Sequence, residues 1–424
     1  MQNATLWRGL LGVEKTVVED IELDEDEGVL VACVRPARRA ASRCGRCQRR
    51  APGYDRGEGR RRWRALDLGM VVTVLEADAP RVNCREHGPT VASVPWARHG
   101  AGHTHAFDEQ VAWLATQASK SAITELMRIA WRTVGAIISR VWADVEALHD
   151  RFADLSRIGI DEISYKRGHK YLTIVVDHDT GRLVWAAPGR DKATLSLFFD
   201  ALGEERCAAI THVSADGADW IAAVVADRCV NAVRCADPFH VVKWATDALD
   251  EVRRAAWNEA RRGGATRSNG RGRRDATGTA KALKHARYAL WKNPENLTER
   301  QRAKLAWVAK SDPRLHRAYL LKEGLRLVFR LPYDEALDAL EVWIGWARRC
   351  RIPAFVDLQR KIVRHRDSIL AAIEHGLSNG RIESVNTKVR LITRIAFGFR
   401  SPDALIALAM LSLGGHRPTL PGRH

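Results

Sequence analysis

The chain has 424 residues, of which 46% are hydrophobic and 28% are charged, a composition typical of folded globular proteins and not of chains that are disordered throughout. Its 68 Lys and Arg residues outnumber its 51 Asp and Glu residues, and the net charge of +17 indicates a surface that attracts polyanions, with nucleic acid as the expected partner. The longest apolar run, at 404–411, is too short to cross a bilayer.

The start of the chain has no basic residues followed by an apolar stretch, so we expect no secretory signal and a cytoplasmic, nucleoid-associated protein. Residues 1–35 form an N-terminal acidic segment, in which Glu and Asp crowd between 14 and 27. A solvated surface is the ordinary interpretation of such a segment.

A basic segment, 36–98, follows and carries two pairs of candidate metal ligands. Cys44 and Cys47 form a CxxC pair, and Cys84 and His87 form a CxxH pair after 36 intervening residues. This spacing suits a tetrahedral structural zinc ion, because each pair converges on a tight turn and four protein ligands leave no open position for catalysis. Two alternatives remain: unpaired thiols in loops, or a different fourth ligand among His99, His103 and His105.

The segment 105–150 has helical periodicity and is predicted to contain a helix-turn-helix. We expect three residues of the first helix to face inward (Ile123, Leu126, Met127) and three of the second (Val134, Ile137, Ile138), around a turn near 130–132. The second helix of such a motif enters the major groove of DNA, so the expected contacts are Arg132, Thr133 and Arg140. An ordinary pair of packed helices is the alternative.

Downstream, the periodicity predicts a mixed sheet. Strand-like runs occupy 158–163, 170–176 and 183–187, and alternating helical and strand-like runs continue to residue 235. After Pro238 the pattern is almost wholly helical. The stretch 261–287 holds nine basic residues and one acid among glycines, so it is predicted to be either a flexible linker or an arm that contacts DNA phosphates, with Arg271, Arg273 and Arg274 as candidates.

Three carboxylates stand in unusual positions. Asp161 interrupts an apolar strand, Asp216 follows a strand end, and Glu383 borders the apolar stripe of a late helix together with Asn386. Each has an ordinary explanation, such as capping a helix or answering its dipole. Together they have the chemistry that holds hard cations for phosphodiester reactions.

Several motifs resemble the ISL-three family of bacterial insertion-sequence transposases. They are LSNGRIESVNTKVRLITR at 377–394 with AFGFRSP at 396–402, GIDEI at 159–163, SADG at 214–217 and ADPFHVVK at 236–243. The likeness covers nearly the whole chain. It implies a multidomain α/β protein with an RNase H-like mixed-sheet catalytic core at 155–244 and 377–424 and a helical insertion at 245–376, preceded by the zinc-binding module and the helix-turn-helix.

The resemblance also implies the chemistry. Asp161, Asp216 and Glu383 would be the catalytic triad holding two Mg²⁺ ions, beside one structural Zn²⁺ and without a nucleotide cofactor. The substrates would be double-stranded DNA at the terminal inverted repeats of the element and at the target, cleaved and joined by a homo-oligomer. Supporting residues would be Asp237, His240, Lys243 and Asn386, and further DNA contacts Arg390 and Arg394.

Two other functions remain open at this point. One is a transposase-derived regulator that binds DNA without turnover. The other is an RNase H-like nuclease that cuts DNA by shape and joins nothing.

Overall fold

The structure is a computed structural model that describes residues 2–166, 168–266, 278–399 and 401–423. Among these residues, no helix is both long and apolar enough to span a membrane. The chain divides into two compact units, one formed by Met1–Arg151 with Val389–His424 and the other by Phe152–Lys388.

The first unit begins with two small sheets. One has the strand order β1-β2-β5-β4 and the other β3-β6-β7, and Trp63 and Trp96 pack edge to face in the core of the larger sheet, with ring centroids 5.5 Å apart. The expected acidic segment is therefore not separate from the zinc module, because β2 pairs in parallel with β5. The elements are α1 (Gln2–Leu11), β1 (Thr16–Asp24), β2 (Val29–Pro36), β3 (Gly53–Asp55), β4 (Arg60–Arg64), β5 (Val72–Asp78), β6 (Arg81–Cys84) and β7 (Gly88–Val91).

Three helices follow: α2 (His105–Ala115), α3 (Lys120–Met127) and α4 (Trp131–Leu148). Ser119 caps α3 by accepting a hydrogen bond from the backbone N–H of Ala122. The predicted inward face of α4 is confirmed, since Val134, Ile137 and Ile138 are buried. In α3, Ile123 and Met127 are buried, but the prediction for Leu126 is wrong: its side chain is 61% exposed. One narrow stripe of a short helix faces the core, and Leu126 lies to its side.

The second unit contains the predicted mixed sheet, in the order β10-β9-β8-β11-β12. The β10-β9 and β9-β8 pairs are antiparallel, and the β8-β11 and β11-β12 pairs are parallel. The short helix α6 was not predicted. The elements are β8 (Arg157–Lys166), β9 (Lys170–Asp177), β10 (Leu183–Pro188), α5 (Lys192–Leu202), α6 (Glu204–Ala209), β11 (His212–Ala215), α7 (Asp219–Arg228) and β12 (Val233–Ala236).

The predicted helical insertion is confirmed. Its core is formed by buried side chains such as Leu249, Leu325 and Phe355. The helices are α8 (Pro238–Thr266), α9 (Thr279–His285), α10 (Arg287–Trp291), α11 (Glu299–Ser311), α12 (Pro313–Val328), α13 (Tyr333–Arg349), α14 (Pro353–Arg364) and α15 (Arg366–Glu374), with a 3₁₀ turn at Pro294–Asn296.

Two helices close the chain, α16 (Gly380–Ile395) and α17 (Pro402–Leu413). We expected all of 377–424 to belong to the catalytic core, whereas 389–424 is part of the first compact unit. The physical reason is α17, whose residues are mostly apolar and buried and which packs against α4. A helix that is apolar around most of its circumference needs cover on several sides.

Candidate functional site

The four predicted zinc ligands lie together. The Nδ1 atom of His87 is 3.8 Å from the Sγ atom of Cys44 and 3.7 Å from that of Cys84, and the Sγ atoms of Cys47 and Cys84 are 3.6 Å apart. A tetrahedral zinc ion with bonds of about 2.0 to 2.3 Å requires donor atoms about 3.5 to 3.8 Å apart. The cluster therefore fits zinc.

The electrostatics of the cluster agree with this geometry. The hydrogen bond from His87 and the backbone N–H groups of Glu86 and His87 lower the pKa of Cys84 to about 6. A thiolate is the form of cysteine that binds metal, so the fold favours at Cys84 the charge state that zinc needs. At Cys47 the hydrogen bond from the backbone of Arg49 is outweighed by burial and by the neighbouring thiols, and the pKa is raised.

The alternative fourth ligands lie elsewhere. His99 packs behind Gly45, where an added Cβ would be 2.2 Å from the histidine Nδ1. His103 stacks on Phe107 with 5.1 Å between ring centroids, and His105 begins α2. Among the described residues, the group with metal-ligand spacing contains His87 and none of these three.

The helix-turn-helix presents only part of its expected DNA surface. Arg132 is exposed in the first turn of α4, and Thr133 beside it is half-buried. Arg140 differs, because its Nε and one terminal nitrogen donate to the two carboxylate oxygens of Asp108 at 2.9 and 3.0 Å. Asp108 is fully buried and also accepts a hydrogen bond from Arg98. The guanidinium of Arg140 is therefore bound to a buried carboxylate of the protein itself.

Asp161 and Asp216 lie side by side on the mixed sheet. In the parallel pair of β8 and β11, Gly159 is opposite Ser214, and each acid follows two residues later on its own strand or just beyond its end. Residues two apart on a strand share a face, so the Asp161 carboxylate projects on the side of the sheet to which Gly159 belongs. Asp216 lies just beyond the end of β11, close enough for its charge to act on Asp161.

Their environment is half-buried and carries other charges. Burial raises the pKa of Asp161, and the negative charge of Asp216 raises it further. Three contacts act in the opposite direction: the backbone N–H of Glu162, the charge of His240 and the side-chain amide of Asn386. Burial and the charge of Asp216 likewise raise the pKa of Glu162. The end of the sheet therefore concentrates negative charge in a place that disfavours it, which a bound cation would relieve.

Asp237 follows β12, and its carboxylate binds His240. The His240 Nδ1 atom is 2.6 Å from one carboxylate oxygen of Asp237, and this hydrogen bond raises the pKa of His240. Lys243, in contrast, is exposed and donates to Asp247 at 3.3 Å. Asp237 itself is 3% exposed.

Glu383 is in the first turn of α16 and is exposed. One turn later, the Nδ2 atom of Asn386 donates to a carboxylate oxygen of Asp161 at 2.7 Å, so the helix that carries Glu383 contacts the strand that carries Asp161. Arg390 and Arg394 are exposed farther along the helix. The three acids do not form a group with all ligand atoms within 4.8 Å, a spacing that only the cysteine cluster reaches in the described part of the chain.

Sequence reasoning missed the contacts that hold α16 to the sheet. They involve His178, Ser214 and Asn379, all buried. The one available signal was that Ser214 and Asn379 stand inside the motifs that carry the resemblance. Arg271, Arg273 and Arg274, predicted to contact phosphates, lie outside the described residues.

The sequence matches three family models in the order that the fold presents. Residues 40–87 match the zinc finger of the transposases of IS204, IS1001, IS1096 and IS1165, residues 92–142 match the helix-turn-helix domain of transposase family ISL3, and residues 158–409 match the transposase domain of that family.

Full-length relatives agree with these matches. The chain is 67% identical to the transposase for insertion sequence element IS1557 of Mycobacterium tuberculosis, over 100% of this chain and 98% of the relative. It is 24% identical to the transposase for insertion sequence element IS1001 of Bordetella parapertussis, over 95% of this chain and 96% of the relative. A zinc ribbon, a DNA-binding helix-turn-helix and a catalytic domain thus follow one another in a DNA-processing enzyme, and the chain belongs to the ISL3 family of insertion-sequence transposases.

Proposed function

We propose that the enzyme cleaves and joins DNA strands by metal-dependent phosphoryl transfer, with Asp161, Asp216 and Glu383 as the catalytic carboxylates. The observation that carries this proposal is the 2.7 Å hydrogen bond from Asn386 to Asp161, which spans 225 residues of sequence. It brings the helix of Glu383 to β8, the strand that carries Asp161, beside the end of β11 that Asp216 follows.

The residues present fit Mg²⁺, a hard cation that binds carboxylate and amide oxygens. Asp161 and Asp216 repel each other in a partly buried place, and a bound divalent cation would offset this repulsion. When bound, Mg²⁺ supplies the positive charge that activates the attacking hydroxyl and stabilises the leaving oxygen. The protein's part is to hold its carboxylates in place.

Around this centre, Asp237, His240 and Asn386 act as supporting residues. Asp237 fixes the His240 ring, and the charge of His240 favours the ionised form of Asp161. Lys243 supports less directly, since it is exposed and bound to Asp247.

For DNA, we infer that α4 reads base edges in the terminal inverted repeats through Arg132 and Thr133. The exposed Arg390 and Arg394 contact phosphates, which position the DNA without reading its sequence. Cys44, Cys47, Cys84 and His87 hold the zinc ion. Two element ends must be held together for joining, so the working form on DNA is a homo-oligomer.

The test measures cleavage and joining of DNA that carries an element end, with Mg²⁺ present, in three variants: Asp161→Asn, Asp216→Asn and Glu383→Gln. Each should abolish both reactions and leave end binding in a gel-shift assay intact, because neutral isosteres keep the shape and lose the charge.

Matched controls are Asp227→Asn and Glu374→Gln, two exposed acids of the same compact unit, which should cut normally. Normal cleavage by any one of the three catalytic variants would remove that residue from the proposed triad. Cleavage without joining in the wild type would point to a nuclease instead.

A further inference from the structure

Glu383 poses a positioning problem. Its side chain is exposed, and its helix, α16, follows directly after Asn379. Asn379 comes 142 residues after Asp237 in the sequence, and the long helical insertion lies between these two residues. The side chains beside it must therefore set the position of α16 on the sheet.

A buried chain of hydrogen bonds holds the beginning of α16. Ser214 in β11 donates from Oγ to Oδ1 of Asn379 at 2.6 Å, and the same Oγ is 2.6 Å from Nε2 of His178. The backbone N–H of Asn379 donates to Asp237 at 3.2 Å. Three strand ends, those of β9, β11 and β12, are thereby tied to one residue at the start of the helix.

The number of hydrogen atoms available decides which group donates in each of these hydrogen bonds. A serine hydroxyl has one hydrogen, which here goes to Oδ1 of Asn379, so the Nε2 atom of His178 donates to Ser214; the Nδ2 atom of Asn379 is buried without a partner among the described residues. Burial lowers the pKa of His178 to about 4, and the ring is therefore neutral, with its proton on Nε2. A neutral chain with defined donors and acceptors fixes one geometry.

A second contact fixes the helix two turns later. Asn386, 3% exposed, donates to Asp161. Residues 379, 383 and 386 are four and three positions apart, so they share one face of α16. Glu383 is bracketed on that face by two asparagines that both bind the sheet.

Backbone contacts and close packing support the same placement. Arg381 donates to the backbone oxygens of His178 and Asp179 at the end of β9. Gly159 lets Ile382 approach β8, since an added Cβ would be 2.1 Å from the Cδ1 atom of Ile382.

We propose that His178, Ser214, Asn379 and Asn386, which we call the α16 anchor, are positioning residues that set Glu383 against Asp161 and Asp216 and thereby the affinity of the carboxylates for divalent cations. The proposal rests on the proposed triad. It assigns to these residues no contact with DNA and no chemical step.

The experiment compares Asn386→Ala and Ser214→Ala with the full-length wild type in two measurements. The first is the Mg²⁺ concentration that gives half-maximal cleavage of element-end DNA. The second is Mn²⁺ binding without DNA, followed by the electron paramagnetic resonance signal of the free ion. Loss of a residue that orients metal ligands costs about 10- to 100-fold in metal affinity. We therefore expect the half-maximal Mg²⁺ concentration and the Mn²⁺ dissociation constant to rise by that factor, while binding of element ends in gel shifts is unchanged.

Controls separate this role from general destabilisation. Gln359→Ala removes a buried amide of α14, and Ser412→Ala removes a buried hydroxyl that donates to Leu408 at 2.7 Å. Both should keep the wild-type metal dependence. If Ser214→Ala does not fold, Asn386→Ala decides the matter alone, because its side chain makes a single hydrogen bond among the described residues.

Wild-type metal affinity in Asn386→Ala would overturn the proposal, and so would equal losses in the two controls. Failure of the triad is distinguishable: Glu383→Gln would then cleave normally, whatever the anchor variants do. If Glu383→Gln is inactive and Asn386→Ala binds metal like the wild type, the triad stands and the anchor does not.

Discussion

Replacing Gly159 by alanine tests how closely α16 must approach β8. The new methyl group would be 2.1 Å from Cδ1 of Ile382, 2.8 Å from its Cγ1 and 2.8 Å from Nε2 of His178. Carbon atoms in contact prefer about 3.5 to 4.0 Å, so the Ile382 side chain must retreat by about 1.5 Å. Such overpacking costs typically about 1 to 3 kcal/mol in free energy of unfolding.

The effect on activity should exceed the effect on stability. Glu383 is the next residue after Ile382, and a displacement of about 1 Å at a reacting centre lowers rates by about 100-fold. We expect Gly159→Ala to reduce element-end cleavage by about that factor while gel-shift binding of the end stays unchanged. Urea unfolding should show the loss of stability.

Two further variants sharpen the result. Gly345→Ala in α13 is the matched control, because the nearest atom to the added Cβ would be the end of the Arg349 side chain on the same helix, at an ordinary contact distance of 3.5 Å; this variant should cleave normally. Combining Gly159→Ala with Ile382→Ala removes the clash with the Ile382 side chain but leaves the 2.8 Å approach to Nε2 of His178, so cleavage should recover in part and in a non-additive way. Full activity of Gly159→Ala alone would refute the argument that this contact sets the position of Glu383.

Three more outcomes are expected. Arg132→Ala should weaken binding of element ends, measured by gel shift, without changing stability. Arg140→Ala should lower the free energy of unfolding in urea by about 1.5 to 3 kcal/mol, because Asp108 loses a charged partner in a buried site. Equal stability of the two variants would contradict the assignment of Arg140 to the fold. The pKa of His178 is lowered from 6.5 to about 4, so the unfolded chain binds a proton first and stability falls as the pH drops from about 6.5 towards 4. Between pH 7 and pH 5 the free energy of unfolding in urea should fall by about 2 kcal/mol more in the wild type than in His178→Gln. The same pH dependence of stability in both proteins would contradict this prediction. Cys44→Ser should lower zinc, measured by mass spectrometry, from about one ion per chain to near zero; retained zinc would exclude this ligand.

Much of the fold was predictable because its signals are local. The apolar periodicity of neighbouring residues predicts the strands and the long helical stretch after Pro238. The order of strands and helices along the chain then predicts the mixed sheet. Leu126 shows the limit, since its exposure depends on which side of α3 finds a partner. The membership of α17 in the first compact unit was equally invisible, because it is decided by the partner that covers an apolar helix.

The two candidate metal sites differ in the same way. The zinc ligands come as two short motifs, so spacing alone brings each pair together. Arg140 was expected on DNA because basic residues on a second helix usually lie there, but the buried carboxylate of Asp108 on α2 binds it. No local pattern in the sequence shows such a long-range ion pair.

The proposed catalytic centre combines both cases, which accounts for its tolerance of a long insertion. Asp161 and Asp216 are placed by adjacent parallel strands, whereas Glu383 arrives on a separate helix. If contacts within the insertion set the position of that helix, every change of packing there would move the carboxylate. The hydrogen bonds that join Asn379 and Asn386 to the sheet remove this dependence, since they tie the helix to the strands that carry the other two acids. On this argument the insertion can vary in length and sequence without cost to the geometry of the triad, provided that the two asparagines and their partners stay.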